Sequence, residues 1–186
     1  GNPELASELA ARDASFTHNR TGIYGTMFIA AAISCAQVMK DKEEIIRTAL
    51  KYVPQESRFF IRSKICLDEI LRASDWEDGY KKINNILNEY GHCRIYQEVG
   101  MMINSFLFAN NIYEGICIQV SQGADTDSFG ASVGSLLGSY YGPEGLDSKW
   151  LEIFNDDIHT GMAWFFERSV SKLAKRMGRL PANFSK

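Results

Sequence analysis

The sequence predicts an all-α protein, folded as a compact bundle of many helices. Apolar residues recur at helical spacing through most of the chain, and several of these runs follow residues that commonly cap helices. The β-branched content of Ile116–Val120 also suits a short buried strand. Because no other segment has the pattern of a partner strand, we expect this stretch to be helical as well.

The first two helices have clear starting signals. Asn2 is a good N-cap, Pro3 suits the first helical position and Glu4 places an acid in the first turn. These residues predict a helix through about Arg12. The run Gly22–Met39 has apolar and small residues at helical spacing, which predicts the second helix.

The next three helices each begin with a capping pattern. These are Asp41 with Glu44 before a helix that Pro54 closes, Ser57 before a helix with apolar residues through Leu71, and Ser74 with Glu77 before a helix that Gly91 ends. Further along the chain, the pattern predicts a helix over Tyr96–Ala109. It also predicts one long helix or a broken pair over Trp150–Met177, ending at Gly178 and Pro181.

Composition limits the classes of protein to which the chain can belong. Its 186 residues, 45% hydrophobic and 23% charged, fit a single domain over residues 1–186. A formal net charge of −3 argues against a nucleic-acid partner. The longest apolar stretch, Met27–Ile33, is far shorter than the roughly 18 residues of a membrane span. We therefore expect a soluble protein that does not contact a membrane.

The cysteines and the first residues indicate the compartment. Four cysteines are spread along the chain without a closely spaced pair: Cys35, Cys66, Cys93 and Cys117. We expect reduced thiols within helices of the core, as in a cytoplasmic protein. The chain begins at Gly1 with neither a leader pattern nor an initiator Met, so we expect the first residue to be a cut point.

The polar residues with the clearest chemical signal lie in a short acidic segment. Asp125, Asp127 and Ser128 place two carboxylates and a hydroxyl within one turn at a helix start. Such hard oxygen ligands suit Mg²⁺, Mn²⁺ or Ca²⁺ rather than Zn²⁺. An N-cap role for Asp125 or Asp127 explains the residues equally well. An EF-hand does not, because Phe129 and Leu136 would occupy its fifth and twelfth positions.

The helix after the acidic segment carries a glycine every four residues. Gly130, Gly134 and Gly138 leave one helix face nearly bare, although each interior glycine costs about 1 kcal/mol relative to alanine. We expect tight helix packing at Gly134 and Gly138. Gly130, beside the acids, could equally make room for a ligand.

Several stretches together resemble one known family. They are Gln122–Ala131, Gly134–Gly138 with Tyr141–Gly142, Arg12–His18 with Gly22–Gly25, and Leu146–Trp150. The first two look like the C-terminal signature of the ADP-ribosylglycohydrolases, GGDTDT followed by a glycine-rich helix. Ala124 replaces the second glycine of that signature, and Ser128 replaces a threonine while keeping the hydroxyl.

The resemblance implies a fold, an activity and a site. Members of the family have an all-α fold and cleave the N- or O-glycosidic bond between ADP-ribose and a protein side chain or small acceptor, using two Mg²⁺ ions, with Mn²⁺ possible. Carried over to this chain, the metal ligands are Asp125, Asp127 and Ser128. His18 would contact the diphosphate or ribose, and Gly123 and Gly130 would also lie against the substrate.

Part of the family's site has no counterpart in this sequence. A Thr-Asp-Asp motif and an upstream glutamate should precede Gly1, and the family's general base is expected in that region. Asp156-Asp157 does not replace the motif, because it lies in the wrong part of the chain and follows Asn155 instead of a threonine. We therefore expect the chain to be the C-terminal part of an ADP-ribosylglycohydrolase-like fold. The remaining half of the site would come from a segment in the same protein or from a partner chain.

Two functions remain open at this point. One is a magnesium-dependent hydrolase acting on ADP-ribosylated proteins or small molecules. The other is a non-catalytic ADP-ribose-binding or structural protein of the same fold. The retention of Asp125, Asp127 and Ser128 favours the enzyme.

Other polar residues have competing explanations. Glu98 and Asn104 lie on a largely apolar helix and could reach a cleft, but a solvent-facing position explains them as well. Tyr140-Tyr141 could stack on an adenine ring, although ordinary packing accounts for the pair more simply.

Overall fold

A computed structural model of the protein describes residues 1–180, and within this range the fold is all-α, as predicted. The helices are α1 Pro3–Ala14, α2 Thr21–Ala36, α3 Lys42–Leu50, α4 Arg58–Ile70, α5 Trp76–Leu87, α6 Ile95–Phe108, α7 Ile112–Ser121, α8 Thr126–Tyr141, α9 Ser148–Phe154 and α10 Val170–Met177. A short 3₁₀ turn covers Pro143–Gly145. The ambiguous stretch Ile116–Val120 lies inside α7, which confirms the helical prediction.

The chain divides into two compact units. Helices α1 to α8 belong to the first unit, Gly1–Gly145, and α9 and α10 belong to a second that begins at Leu146. Each unit is described by itself below. The single domain expected over residues 1–186 stays a prediction.

Side-chain caps fix most of the helix starts that the sequence predicted. Asn2 Oδ1 accepts a hydrogen bond from the Leu5 amide at 3.1 Å, and Asp41 Oδ1 accepts one from the Glu44 amide at 2.8 Å. Ser57 Oγ caps α4 by accepting from the Phe60 amide at 3.1 Å. Each bond satisfies a first-turn amide that has no partner within its helix.

The predicted cap of α5 was wrong by one residue. Asp75, and not Ser74, is the N-cap, and its Oδ1 accepts from the Asp78 amide at 2.8 Å. Asp78 Oδ2 accepts in return from the Ser74 amide at 3.1 Å. The helix ends at Leu87, before the predicted stop at Gly91.

The segment predicted as one long helix or a broken pair is broken. Between α9 and α10 the backbone passes through positive φ at Asn155 (47°) and Asp156 (59°), which ends α9. Asp156 then accepts hydrogen bonds from Ser169 Oγ at 2.6 Å and the Ser171 amide at 2.7 Å, at the start of α10. Helix α10 ends before Gly178 as expected, and Pro181 lies outside the described residues.

The core of the first unit lies between α2, α4, α6 and α8. One phenylalanine from each of these helices is fully buried: Phe28, Phe59, Phe106 and Phe129. No helix in the described part of the chain is long and apolar enough to cross a membrane.

The expectation of four core thiols holds only in part. Cys35 and Cys66 are buried and Cys117 is half-buried, all in helices. Burial raises the pKa of the Cys66 thiol to about 12. Cys93 is a correction, because it is exposed in the turn before α6 and not inside a core helix.

Candidate functional site

The acidic segment forms a tight connection between α7 and α8, here called the acidic loop, Gly123–Ser128. Gly123 and Ala124 both have positive φ, at 78° and 61°, and α8 begins two residues later at Thr126. Glycine adopts this conformation readily, whereas alanine pays a steric penalty. The sharp turn places Asp125 and Asp127 at the first turn of α8.

The carboxylate of Asp125 is not used to cap α8. Asp125 stands at the N-cap position, yet its side chain accepts no hydrogen bond from the first turn, so the N-cap interpretation is wrong for this residue. Asp127 Oδ1 accepts locally from the Ser128 amide at 2.8 Å. A hydrogen bond with Asp125, followed by that amide, lowers the pKa of Asp127. Both carboxylates thus lie at the start of α8, where Asp127 is exposed and Asp125 is half-buried.

A buried polar network anchors the acidic loop to α6. Gln122, the residue before the loop, is buried. Its Nε2 donates to Ser105 Oγ at 2.7 Å, and its Oε1 accepts from Asn104 Nδ2 at 3.0 Å. Asn104 also donates to the Trp76 carbonyl at 2.9 Å and is completely buried, so it belongs to the core and not to a cleft or to solvent.

A cleft of about 760 Å³ lies beside the start of α2 and the turn before α6. His18 lines this cleft together with Arg94. The His18 imidazole is exposed, and its Nδ1 lies 2.8 Å from Thr17 Oγ1. A Cβ atom on Gly22 would lie 2.9 Å from His18 Cδ2, so this glycine allows the ring to sit against the first turn of α2.

Glu98 also lines the cleft. Of the two positions considered for this residue, a cleft or open solvent, the structure places it at the cleft. Its Oε1 accepts from Ser132 Oγ of α8 at 2.8 Å. Burial raises the pKa of the Glu98 carboxyl, Ser132 opposes that shift, and the negative charge of Asp125 adds to it. Glu98 is the one charged residue of α6, and that isolation in an apolar helix was the available signal in the sequence.

Cys93 is a cleft residue that sequence reasoning missed. Partial desolvation raises the pKa of its thiol, and the charges of Asp125 and Asp127 raise it further. Cys93 and Glu98 both line the cleft, and the charge of Asp125 raises the pKa of both groups, although no residue of the acidic loop is among those that line it. The substrate role of His18 and the metal role of Asp125, Asp127 and Ser128 stay predictions.

The glycine face of α8 is not the product of tight packing. A Cβ on Gly134 would make ordinary contact with Ile116 at 3.7 Å, and one on Gly138 would meet nothing within 4 Å. The packing expected at these two positions is therefore wrong. A Cβ on Gly130 would lie 3.8 Å from Val120, and Gly123 has open space around it. The substrate role of Gly123 and Gly130 stays a prediction.

Tyr140 and Tyr141 pack within the fold, as the simpler of the two explanations predicted. Their hydroxyls donate to the carbonyls of Lys40 at 2.7 Å and Ala109 at 2.9 Å. They lie at the C-terminal end of α8, at the far end of the helix from the acidic loop. Neither residue is placed to stack on a ligand at that loop.

The acidic pair in the second unit is bonded within that unit. Asp157 pairs with Arg168 at 2.5 Å and lies 3.1 Å from His159, while Asp156 binds Ser169 and Ser171. These hydrogen bonds lower the pKa of both carboxyls. Each carboxylate therefore already has strong partners in its own unit.

The donor set of the acidic loop fits a hard divalent cation. It offers two carboxylates and a hydroxyl within four residues, and the Asp125 carboxylate does not cap the helix. Within residues 1–180, no three side chains of His, Cys, Asp or Glu are grouped so as to hold a metal ion. The loop by itself thus supplies a partial ligand set.

Comparison with known proteins points to one group of hydrolases. A family model described as ADP-ribosylglycohydrolase matches residues 1–180. No curated protein and no solved structure matches the chain.

Proposed function

Because this chain belongs to the ADP-ribosylglycohydrolase family, we propose that it cleaves the glycosidic bond between ADP-ribose and a protein side chain or small acceptor. The observation that carries this proposal is the placement of Asp125, Asp127 and Ser128 at the start of α8, with the charge of Asp125 acting on Glu98, which lines the same cleft as His18. The Asp125 side chain does not cap α8, whereas Asp127 Oδ1 accepts a hydrogen bond from the first-turn amide of Ser128. Binding of a cation and a sugar would suit the position of these two carboxylates.

Asp125, Asp127 and Ser128 would hold Mg²⁺, or Mn²⁺ in its place, as part of a site for two ions. Their oxygens are the ligands such cations prefer. When bound, the ions would polarise the glycosidic bond and orient the ribose hydroxyls.

The chain's own residues would bind and orient the substrate. His18 is exposed on the cleft wall, where its imidazole can donate to a diphosphate or ribose oxygen. Arg94, also on the wall, adds a positive charge suited to a diphosphate. At Gly123 and Gly130 a ligand can approach the backbone closely, since neither position carries a side chain.

The remaining ligands and the general base would come from outside this sequence. The sequence contains no Thr-Asp-Asp motif, and Asp156 and Asp157 are bonded within the second unit. Cleavage through an oxocarbenium-like transition state needs a further carboxylate as acid or base. We assign that role to a segment carrying the Thr-Asp-Asp motif and its upstream glutamate, in the same protein or in a partner chain.

Release of ADP-ribose tests the proposal. In a protein that combines these residues with a Thr-Asp-Asp segment, Asp127→Asn should lower Mg²⁺-dependent turnover of ADP-ribosylated substrates by about a hundredfold or more, because a ligand oxygen is lost. Asp68→Asn is the matched control, since Asp68 makes only a 3.9 Å surface pair with Arg47.

Two outcomes would contradict this account. Full turnover by Asp127→Asn would remove the metal assignment. Unaided turnover by the 186-residue chain would show that no further segment is needed. Binding of ADP-ribose without turnover in the combined form would instead favour the non-catalytic binding protein.

A further inference from the structure

The connection between α5 and α6, residues 88–94, supplies much of the cleft wall. Five of its residues line the cleft: Glu89, Tyr90, Gly91, Cys93 and Arg94. The ring of Tyr90 stacks on that of Tyr96 in α6, with the centroids 4.1 Å apart and the planes inclined by 20°. The Tyr96 hydroxyl lies 3.3 Å from Thr21 Oγ1 at the start of α2. These contacts involve no charged group, so they hold the connection in place whatever its charges.

An ion pair also joins this connection to α4. Arg62 Nη2 donates to Glu89 Oε1 at 2.5 Å. Arg62 lies on α4 between Phe59 and Cys66, which are both fully buried, so the helix that carries it is fixed in the core. Among the described residues that line the cleft, Glu89 is present and Arg62 is not. Arg62 therefore neutralises a carboxylate of the cleft wall without lining the cleft itself.

The charge of the cleft wall depends on this pair. Two carboxylates among the described residues line the cleft, those of Glu89 and Glu98. Arg94 supplies one guanidinium there, and His18 supplies an imidazole. An unpaired carboxylate repels an anion, and a diphosphate is negatively charged. Pairing with Arg62 removes the repulsion that Glu89 would otherwise exert on the substrate of the proposed function.

We propose that Arg62 is a positioning residue, which neutralises Glu89 so that the cleft accepts an anionic diphosphate. This inference rests on the proposed function, because ADP-ribose supplies the diphosphate. Arg62 does not touch the substrate and acts through Glu89. Both side chains are partly exposed, so solvent screens their charges and the effect is a severalfold change in affinity instead of a complete loss.

Alkylation of Cys93 measures this charge in the 186-residue chain. Cys93 is exposed and lines the same cleft. Iodoacetate is an anion and iodoacetamide is neutral, so the ratio of their rates at Cys93 reports the local potential and cancels changes in the reactivity of the thiol. Arg62→Gln should lower this ratio by about twofold or more at low ionic strength, because Glu89 is then unpaired. Mass spectrometry of the Cys93 peptide gives both rates.

Further variants separate charge from structure. Arg62→Lys keeps the positive charge and should keep the ratio, whereas Glu89→Gln alone should raise it. Glu89→Gln added to Arg62→Gln removes the unpaired carboxylate and should restore the ratio. Arg72→Gln is the matched control, since Arg72 pairs with Glu69 at 2.7 Å and neither is among the described residues that line the cleft. An unchanged ratio in Arg62→Gln, an equal fall in Arg72→Gln, or no recovery in the double variant overturns the proposal.

Binding of ADP-ribose distinguishes this inference from the proposed function. In a protein that also carries a Thr-Asp-Asp segment, Arg62→Gln should weaken binding by about threefold to tenfold, and adding Glu89→Gln should restore it. If Asp127→Asn abolishes binding but Arg62→Gln leaves it unchanged, the positioning role is wrong and the proposed function stands. If the unaltered protein binds no ADP-ribose, the proposed function is wrong and so is the diphosphate role, while the alkylation ratio still decides whether Arg62 neutralises Glu89.

Discussion

Ala124 holds a backbone conformation that residues with a Cβ rarely adopt. Its φ of 61° follows a second positive φ at Gly123, and its side chain is exposed. The left-handed region costs a non-glycine residue about 1–2 kcal/mol. The acidic loop therefore carries local strain beside the candidate metal ligands.

We predict that Ala124→Gly stabilises the first unit. Relief of the strain exceeds the added flexibility of the unfolded chain, so the free energy of unfolding should rise by about 1 kcal/mol. Urea denaturation measures the change.

Ala131→Gly provides a control of opposite sign. Ala131 is exposed in the interior of α8, where glycine should cost about 1 kcal/mol. If Ala124→Gly and Ala131→Gly both lower the free energy of unfolding, the backbone of Ala124 is not strained and the prediction is wrong.

At the residue scale, the sequence predicts candidate metal ligands more readily than it predicts their surroundings. Asp125, Asp127 and Ser128 were readable because spacing along a single turn brings them together. Glu98 remained ambiguous and Cys93 was misplaced, because the cleft that both line also includes residues far away along the chain, such as His18. Local patterns do not encode contacts between distant helices.

At the scale of elements, the acidic loop depends on α6. Gln122 bonds to both Asn104 and Ser105 inside the core, directly before the backbone turns at Gly123. A buried polar group that loses its hydrogen-bond partner destabilises the fold. This network therefore favours a single position of the acidic loop. We regard Gln122 as a positioning residue for the candidate metal ligands.

Gln122→Ala should destabilise the chain and loosen the loop. The free energy of unfolding should fall by about 1–3 kcal/mol, because Asn104 and Ser105 lose a buried partner. Amide exchange over residues 123–128 should accelerate at the same time.

Gln37→Ala is the control for this prediction. Gln37 is exposed and accepts only from the amino group of Gly1, so its loss should change stability by no more than about 0.5 kcal/mol. Equal effects of the two substitutions on exchange in the loop would argue against anchoring through Gln122.

The start of a helix was predictable from the sequence where a single residue was able to cap it. Asn2, Asp41 and Ser57 each stand alone before an apolar run. Ser74 and Asp75 offer two adjacent caps, and three-dimensional geometry selected the second. The break after Phe154 could not be read from periodicity, because it rests on hydrogen bonds from Asp156 to Ser169 and Ser171, residues well separated from it along the chain.

At the scale of the whole molecule, the family match and the candidate ligands of the acidic loop support the same proposed function. The ADP-ribosylglycohydrolase model covers residues 1–180, and the acidic loop offers two carboxylates and a hydroxyl at the start of α8. Sequence resemblance predicted the family and the fold. The separation into two units was not visible in composition or in any linker pattern.

Isothermal titration of Mg²⁺ and ADP-ribose tests the central claim most directly. It should be performed on this chain and on a form that also carries a Thr-Asp-Asp segment. The account predicts tight, Mg²⁺-dependent binding of ADP-ribose in the combined form alone, lost in Asp127→Asn and retained in Asp68→Asn. If neither form binds ADP-ribose, or if binding depends on neither Mg²⁺ nor Asp127, the account is contradicted.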